Sequence, residues 1–142
     1  MEVKEIMSKK VISISPNESA AVAARLLCRY NIGAIPVCAT EGRVKGMVTD
    51  RDIVLRCVAA GEEPEATKVS DIMTRRVITV SSEDSVHTAM EKMAKEQIRR
   101  LPVEENGRLV GMLSLGDVAK IRSCTMEAAD ALSEISDNLK RM

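Results

Sequence analysis

Apolar and polar positions along the chain change their period in a fixed order, and the order occurs twice. Val11–Ile14 and Val77–Val80 are rich in β-branched residues and predict strands. Each run leads into a serine-headed turn: Ser15, Pro16 and Glu18 in the first, Ser81 through Asp84 in the second. Serine as cap, proline in the first turn and an acid soon after predict a helix start. Apolar side chains then recur at helical spacing, at Val22, Ala23, Leu26, Leu27 and Tyr30, and again at Val86, Ala89, Met90 and Met93. Short strands follow at Ile35–Cys38 and Leu101–Val103. Turns at Glu41-Gly42 and Glu105–Gly107 connect them to strands Val44–Thr49 and Leu109–Ser114. A second helix is predicted from near Asp50 and from near Leu115. Each copy therefore reads β-α-β-β-α.

The two copies are also alike residue by residue, which is the mark of an internal repeat. VKEIMSKKVISIS from Val3 aligns with VSDIMTRRVITVS from Val69, 66 residues later. Ile35-Pro36-Val37 aligns with Leu101-Pro102-Val103 at the same offset. GMVTDRD from Gly46 aligns with GMLSLGD from Gly111 at an offset of 65, so one residue is missing from the intervening turn. Turns tolerate such a deletion where strands do not. The boundaries predicted are a first repeat at 1–60, a linker at 61–67, a second repeat at 68–122 and a helical tail at 123–142. The linker carries Gly61, Pro64 and three glutamates. A unit of this size is marginal alone, so the two repeats are expected to pack with pseudo-two-fold symmetry. The fold class is α/β in the broad sense (α+β).

Composition removes several function classes. Of 142 residues, 21 are Lys or Arg and 21 are Asp or Glu, so no net charge draws the chain to nucleic acid. The chain has one Tyr and neither Phe nor Trp, so it lacks the aromatic surface on which single-stranded nucleic acids stack. A bound base would have to lie between aliphatic side chains and backbone. No apolar run reaches the ~20 residues of a membrane span. The charged start at Met1–Glu5 predicts no signal peptide, and a cytoplasmic location follows as an expectation. Cys28, Cys38, Cys57 and Cys124 are not paired at metal-site spacing and are expected to act as small hydrophobes, while His87 is expected on a helix surface. No nucleophile–base pair, metal cluster or phosphate loop is present, so no enzymatic activity is expected.

The ordered marks I-M-x-x-x-V-I-S/T, then I/L-P-V, then G-apolar-apolar-S/T-x-x-D resemble the CBS domain, named after cystathionine β-synthase. They occur twice and cover roughly residues 1–122. The resemblance implies a CBS pair, with clefts between the repeats that bind adenosyl compounds such as AMP, ADP, ATP or S-adenosylmethionine. It also implies a homodimer that regulates an effector protein in trans, an energy-sensing role, and no required cofactor or metal.

The residues read in two compatible ways. Thr49 and Asp52, like Ser114 and Asp117, have the spacing of a capping box. A carboxylate at such a place can also accept hydrogen bonds from ribose hydroxyls, and a helix start favours phosphate. By the resemblance, Asp52 and Asp117 hold ribose, while Thr49 and Ser114 contact ribose or phosphate. Arg99 and Arg100 are either solvated edge charges or phosphate ligands. Alternation along a strand puts only one of the two in a cleft. The resemblance pairs Arg99 or Arg100, with backbone near Thr79 and Val80, against Thr49 and Asp52. It pairs Ile14 and Gly33-Ala34-Ile35 against Ser114 and Asp117, a cleft without arginines.

Ile121, Thr125, Ala128, Leu132, Ile135, Leu139 and Met142 form a heptad stripe. It suits a tail helix folded back on its own module or one paired with another subunit. Two further functions stay open beside ligand sensing. One is a ligand-free structural dimerisation module; the other is redox or metal sensing, if the cysteines converge.

Overall fold

The structure is a computed structural model and describes residues 1–121 and 125–141. Side chains in the final helix are described for residues 126–137. Two compact units are present: unit 1 comprises Met1–Val11 and Ile78–Met142, and unit 2 comprises Ile12–Val77.

Unit 2 contains helix α1 (Ala20–Tyr30), an antiparallel pair β1 (Ala34–Cys38) and β2 (Val44–Thr49), helix α2 (Asp50–Ile53) continuing as a π-turn over Val54–Val58, and helix α3 (Val69–Ile72). Unit 1 contains a 3-10 turn (Val3–Glu5), β3 (Val80–Ser81), α4 (Val86–Glu96), β4 (Arg100–Glu105), β5 (Arg108–Ser114), α5 (Leu115–Ala119) and α6 (Thr125–Arg141). Its sheet runs β3-β4-β5, with β3 parallel to β4 and β4 antiparallel to β5. The class is thus mixed helix and strand with two small sheets, as the pattern predicts.

Two local expectations are corrected, and the linker is bonded to its neighbours. The first strand of each repeat is shorter than its apolar run. Only Ile14 bridges β1 in unit 2, parallel to Val37, and only Val80–Ser81 pairs in unit 1. The helix caps are Ser19 and Ser85, whose side chains accept from the N–H of Val22 and Thr88, rather than Ser15 and Ser81. Residues around Pro16–Glu18 cannot extend the helix because their carbonyls are used elsewhere: Glu18 accepts from Val69 and Pro16 from Ser70. The equivalent carbonyls of Asp84 and Ser82 accept from Val3 and Lys4. The linker is also not a free tether. Pro64 and Thr67 carbonyls accept from Ala21 and Ala20, and Thr67 is buried with its hydroxyl on the Glu63 carbonyl.

These bonds reveal an exchange that the repeat boundaries conceal. The entry segment of each sequence repeat belongs to the unit built by the other repeat. Ser8 bridges Met112 on the free edge of β5, and Thr74 bridges Met47 on the free edge of β2. Glycine permits both approaches. A Cβ on Gly46 would lie 2.7 Å from the Thr74 carbonyl oxygen, and one on Gly111 would lie 2.9 Å from that of Ser8. Each unit then buries its own core. Ile35, Val37 and Val48 pack with Ala23, Leu27, Val69 and Ile72 in unit 2. Leu101, Val103 and Leu113 pack with Val3, Met90, Met93 and Val118 in unit 1.

The tail helix folds back on its own unit. It packs on α4 and α5 and buries Ala128, Ala131 and Ile135. Ala128 and Ile135 match the expected stripe, but Leu132 is 42% exposed and Ala131 takes its place. At 3.6 residues per turn, a helix seated on a single unit buries positions spaced three and four apart without keeping the strict heptad. Thr125, Leu139 and Met142 have side chains outside the described residues.

Candidate functional site

The corner from the second hairpin strand into the following helix is the best-defined chemical feature of both units. Thr49 ends β2 with extended backbone, and its hydroxyl accepts from the Asp52 N–H at 3.0 Å. The Asp52 carboxylate accepts from the Thr49 N–H at 3.0 Å. Ser114 and Asp117 repeat this arrangement with both distances again 3.0 Å. These reciprocal bonds satisfy amides that a helix start would otherwise leave open. The capping reading of both pairs is therefore realised.

The two aspartates differ beyond the cap. Asp52 is buried, at 7% exposure. Its carboxylate also accepts from the Thr74 hydroxyl, at 3.3 Å to one oxygen and 3.5 Å to the other. The Arg56 guanidinium lies 3.9 Å away and donates to the carbonyls of Ile72 and Met73. Asp117 is half-buried and has only its cap among the described residues. The positions that tether Asp52 are occupied differently in unit 1: Ser8 corresponds to Thr74, and Ile121 to Arg56. Sequence reasoning missed Thr74 because nothing in the local motif points to a segment 22 residues away, and it passed over Arg56 although the four-residue spacing from Asp52 was the available signal.

Arg99 and Arg100 sit beside Ser114 within unit 1. Arg100 is the register partner of Ser114, and the Arg99 carbonyl accepts from the Leu115 N–H at 2.8 Å. The antiparallel register thus makes these arginines and Ser114 neighbours within unit 1. Both arginines line one cavity within unit 1, because β4 begins at Arg100 and Arg99, before the strand, is not bound by its alternation. In unit 2 the corresponding Gly33 carbonyl accepts from the Asp50 N–H, and Ala34 pairs with Thr49.

The cavity has a volume of about 510 Å³. Arg99, Arg100 and Ser114 line it from the sheet side, and Ala128, Ala129 and Leu132 line it from α6. Among the described residues neither guanidinium has an ion-pair partner. The contribution of α6 was not legible, since the tail shares no motif with the repeats.

Other candidates are core residues. Ile14, Ile35 and Val80 are buried at 5%, 0% and 1% exposure, so only their backbone is available to a ligand. The Ile14 amide and carbonyl are already bonded to Pro36 and Cys38. Thr79 is half-buried; its hydroxyl donates to Glu104, and its carbonyl accepts from Lys92. Cys57 is buried as expected, whereas Cys28 is exposed; Cys124 lies outside the described residues. His87 is on the surface of α4, 2.7 Å from Glu91. Among the described residues no three His, Cys, Asp or Glu side chains group as metal ligands, and no helix is long and apolar enough to cross a membrane.

The model of the CBS domain matches residues 3–58 and 69–123. The chain belongs to the CBS domain family. Its CBS repeats, as sequence units, are offset from its spatial units by the exchanged entry segments. The CBS domain-containing protein YhcV of Bacillus subtilis is 41% identical over 134 residues, covering 94% of each chain. Hypoxic response protein 1 of Mycobacterium tuberculosis is 32% identical over 82% of each chain. The crystal structure of Hypoxic Response Protein I with two coordinated zinc ions has a TM-score of 0.79 at 32% identity, covering 84% of this chain and 98% of that one. The CBS domain pair of protein MJ0100, in complex with 5'-methylthioadenosine and S-adenosyl-L-methionine, has a TM-score of 0.74 at 31% identity and covers 84% of this chain and 94% of that one.

Proposed function

We propose that this CBS pair is a regulatory module without catalytic chemistry of its own, which binds an adenosyl ligand of the AMP, ADP, ATP or S-adenosylmethionine class. The duplicated S/T-x-x-D corner carries the reading. Thr49 with Asp52, and Ser114 with Asp117, present a hydroxyl and a carboxylate at one place in each unit, a pair suited to vicinal ribose hydroxyls. Arg99 and Arg100 supply charge-assisted donors for phosphate, while Ile35, Thr79 and Val80 contribute backbone. The MJ0100 complex supports the ligand class. The module acts as a homodimer on an effector in trans, by differing affinity for its empty and filled states. With AMP and ATP as competing ligands, its output follows the energy state of the cell.

The geometry ranks the two corners. A ligand at Asp52 must displace Thr74 and Arg56, whereas a ligand at Asp117 displaces only a cap. Unit 1 therefore fills first. Calorimetry with AMP, ATP and S-adenosylmethionine tests this on the wild type, Asp117→Asn and Asp52→Asn. Asparagine at this third helical position keeps an oxygen to accept from the N–H of Thr49 or Ser114 and removes the charge. Asp117→Asn is expected to weaken binding at least tenfold and Asp52→Asn less. Equal affinity in all three proteins overturns the assignment. A second reading, a ligand-free structural dimer, is favoured by the full hydrogen bonding of Asp52. It is upheld if no adenosyl compound raises the melting temperature, since a ligand of the native state must do so.

A further inference from the structure

His87 joins two helices of unit 1 through groups that the ribose corners do not use. Its Nε2 lies 2.7 Å from Glu91 Oε1, one turn further along α4, and its Nδ1 lies 3.6 Å from Glu127 Oε2 on α6. Glu127 Oε2 is enclosed by the protein and accepts no hydrogen bond among the described residues. A neutral imidazole has one N–H. The 2.7 Å contact uses that N–H on Glu91, which leaves the Nδ1 lone pair facing a carboxylate oxygen that also lacks a donor. An imidazolium has an N–H on each ring nitrogen and serves both carboxylates.

We propose that His87 is a proton-operated latch on α6: its protonated ring bridges Glu91 and Glu127 and holds the helix against α4, and loss of the proton loosens it. The surrounding charges set the sign. On α6 the acids Glu127, Asp130 and Glu134 follow at helical spacing, and Glu127 stands in the first turn, a place that suits a carboxylate. Asp117 of α5 is engaged in its cap. At the start of the chain the Met1 carbonyl accepts from the Val86 N–H, and Glu2 pairs with Lys4 at 3.1 Å, so the Met1 amine is a cation adjoining the same turn. His87 is the second residue of α4, where the helix start also opposes a positive charge. The carboxylates win because they touch the ring and Coulomb energy falls with distance. Seating α6 thus takes up a proton at His87, and docking strengthens as pH falls from about 8 to about 5, the range over which imidazole changes charge. Because α6 also walls the unit 1 hollow through Ala129 and Leu132, the same proton sets how firmly that wall is held. The latch does not rest on the ligand reading.

Amide exchange of α6 in the full chain tests this, with wild type and variants compared at the same pH, once at about pH 5.5 and once at about pH 8. His87 is exposed, so its variants keep the fold. His87→Gln is expected to lower the protection of α6 about twofold at the acid pH, the scale of an exposed ion pair, and to leave it unchanged at the alkaline one. Glu127→Gln removes the anion and is expected to give the same pattern. His87→Arg carries its charge and several donors at every pH. It is expected to protect α6 about twofold better than wild type at the alkaline pH. The chain has a single histidine, so no other imidazole contributes. Equal protection in wild type and His87→Gln at both pH values overturns the latch. An equal loss at both makes His87 a packing contact and overturns proton control. A loss that is larger at the alkaline pH reverses the sign and overturns the proposal as well.

Discussion

The two units are built from equivalent residues, yet they differ in what closes their surface and in what holds their aspartate. In unit 1, α6 packs over α4 and α5, and Asp117 carries a single cap. In unit 2 no such helix is present, and Asp52 is tied to Thr74 and Arg56 as well as to its cap. The causes are two substitutions between the copies, at Ser8/Thr74 and Ile121/Arg56, and one appended segment. A duplicated fold thus keeps its frame while its two corners diverge. The covered unit retains the accessible carboxylate, and the bare one has spent its carboxylate on internal bonding.

Core truncations test whether the frames are in fact equal. Ile35 and Leu101 correspond and are both fully buried. Ile35→Ala and Leu101→Ala are each expected to cost about 2–5 kcal/mol, measured by urea unfolding. A large difference between them would show that one unit carries most of the stability.

The exchanged entry segments come next. Gly46→Ala places a methyl 2.7 Å from the backbone oxygen of Thr74, and Gly111→Ala places one 2.9 Å from that of Ser8. Each is expected to destabilise by about 1–3 kcal/mol, the range for overpacking. Melting temperatures unchanged by both would argue against the strand-edge bridges to Ser8 and Thr74.

The smallest effect concerns the aspartates. Asp52→Asn is expected to cost about 1 kcal/mol through its weakened bonds to Thr74 and Arg56. Asp117→Asn is expected to cost less, because the amide oxygen can still accept from the Ser114 N–H and only the favourable charge at the helix start is lost. The gap between the two variants should shrink in the Thr74→Ala background. An undiminished gap would place the difference elsewhere.

Much of the fold was legible because hairpins and caps are local. The β1–β2 and β4–β5 pairs follow from apolar runs separated by short turns at Gly42 and Gly107, both of which adopt positive φ. The capping pairs follow from a three-residue spacing. What failed was the assignment of partners across distance. The helix starts were misplaced because the carbonyls of Pro16 and Glu18 bond to residues more than 50 positions away. That Arg100 lies beside Ser114 was not read, because register rather than motif decides which strand residues pair.

The sequence by itself determined the duplication, the mixed class, the hairpins and the two S/T-x-x-D corners, since each is written in periodicity or spacing within a few residues. Only the tertiary structure decided that the entry segments trade units, that α6 seats on unit 1, and that Arg99 and Arg100 line one hollow with it. Those outcomes depend on which buried edges and faces remain unsatisfied after local structure forms. Backbone groups and apolar area seek partners without regard to distance along the chain.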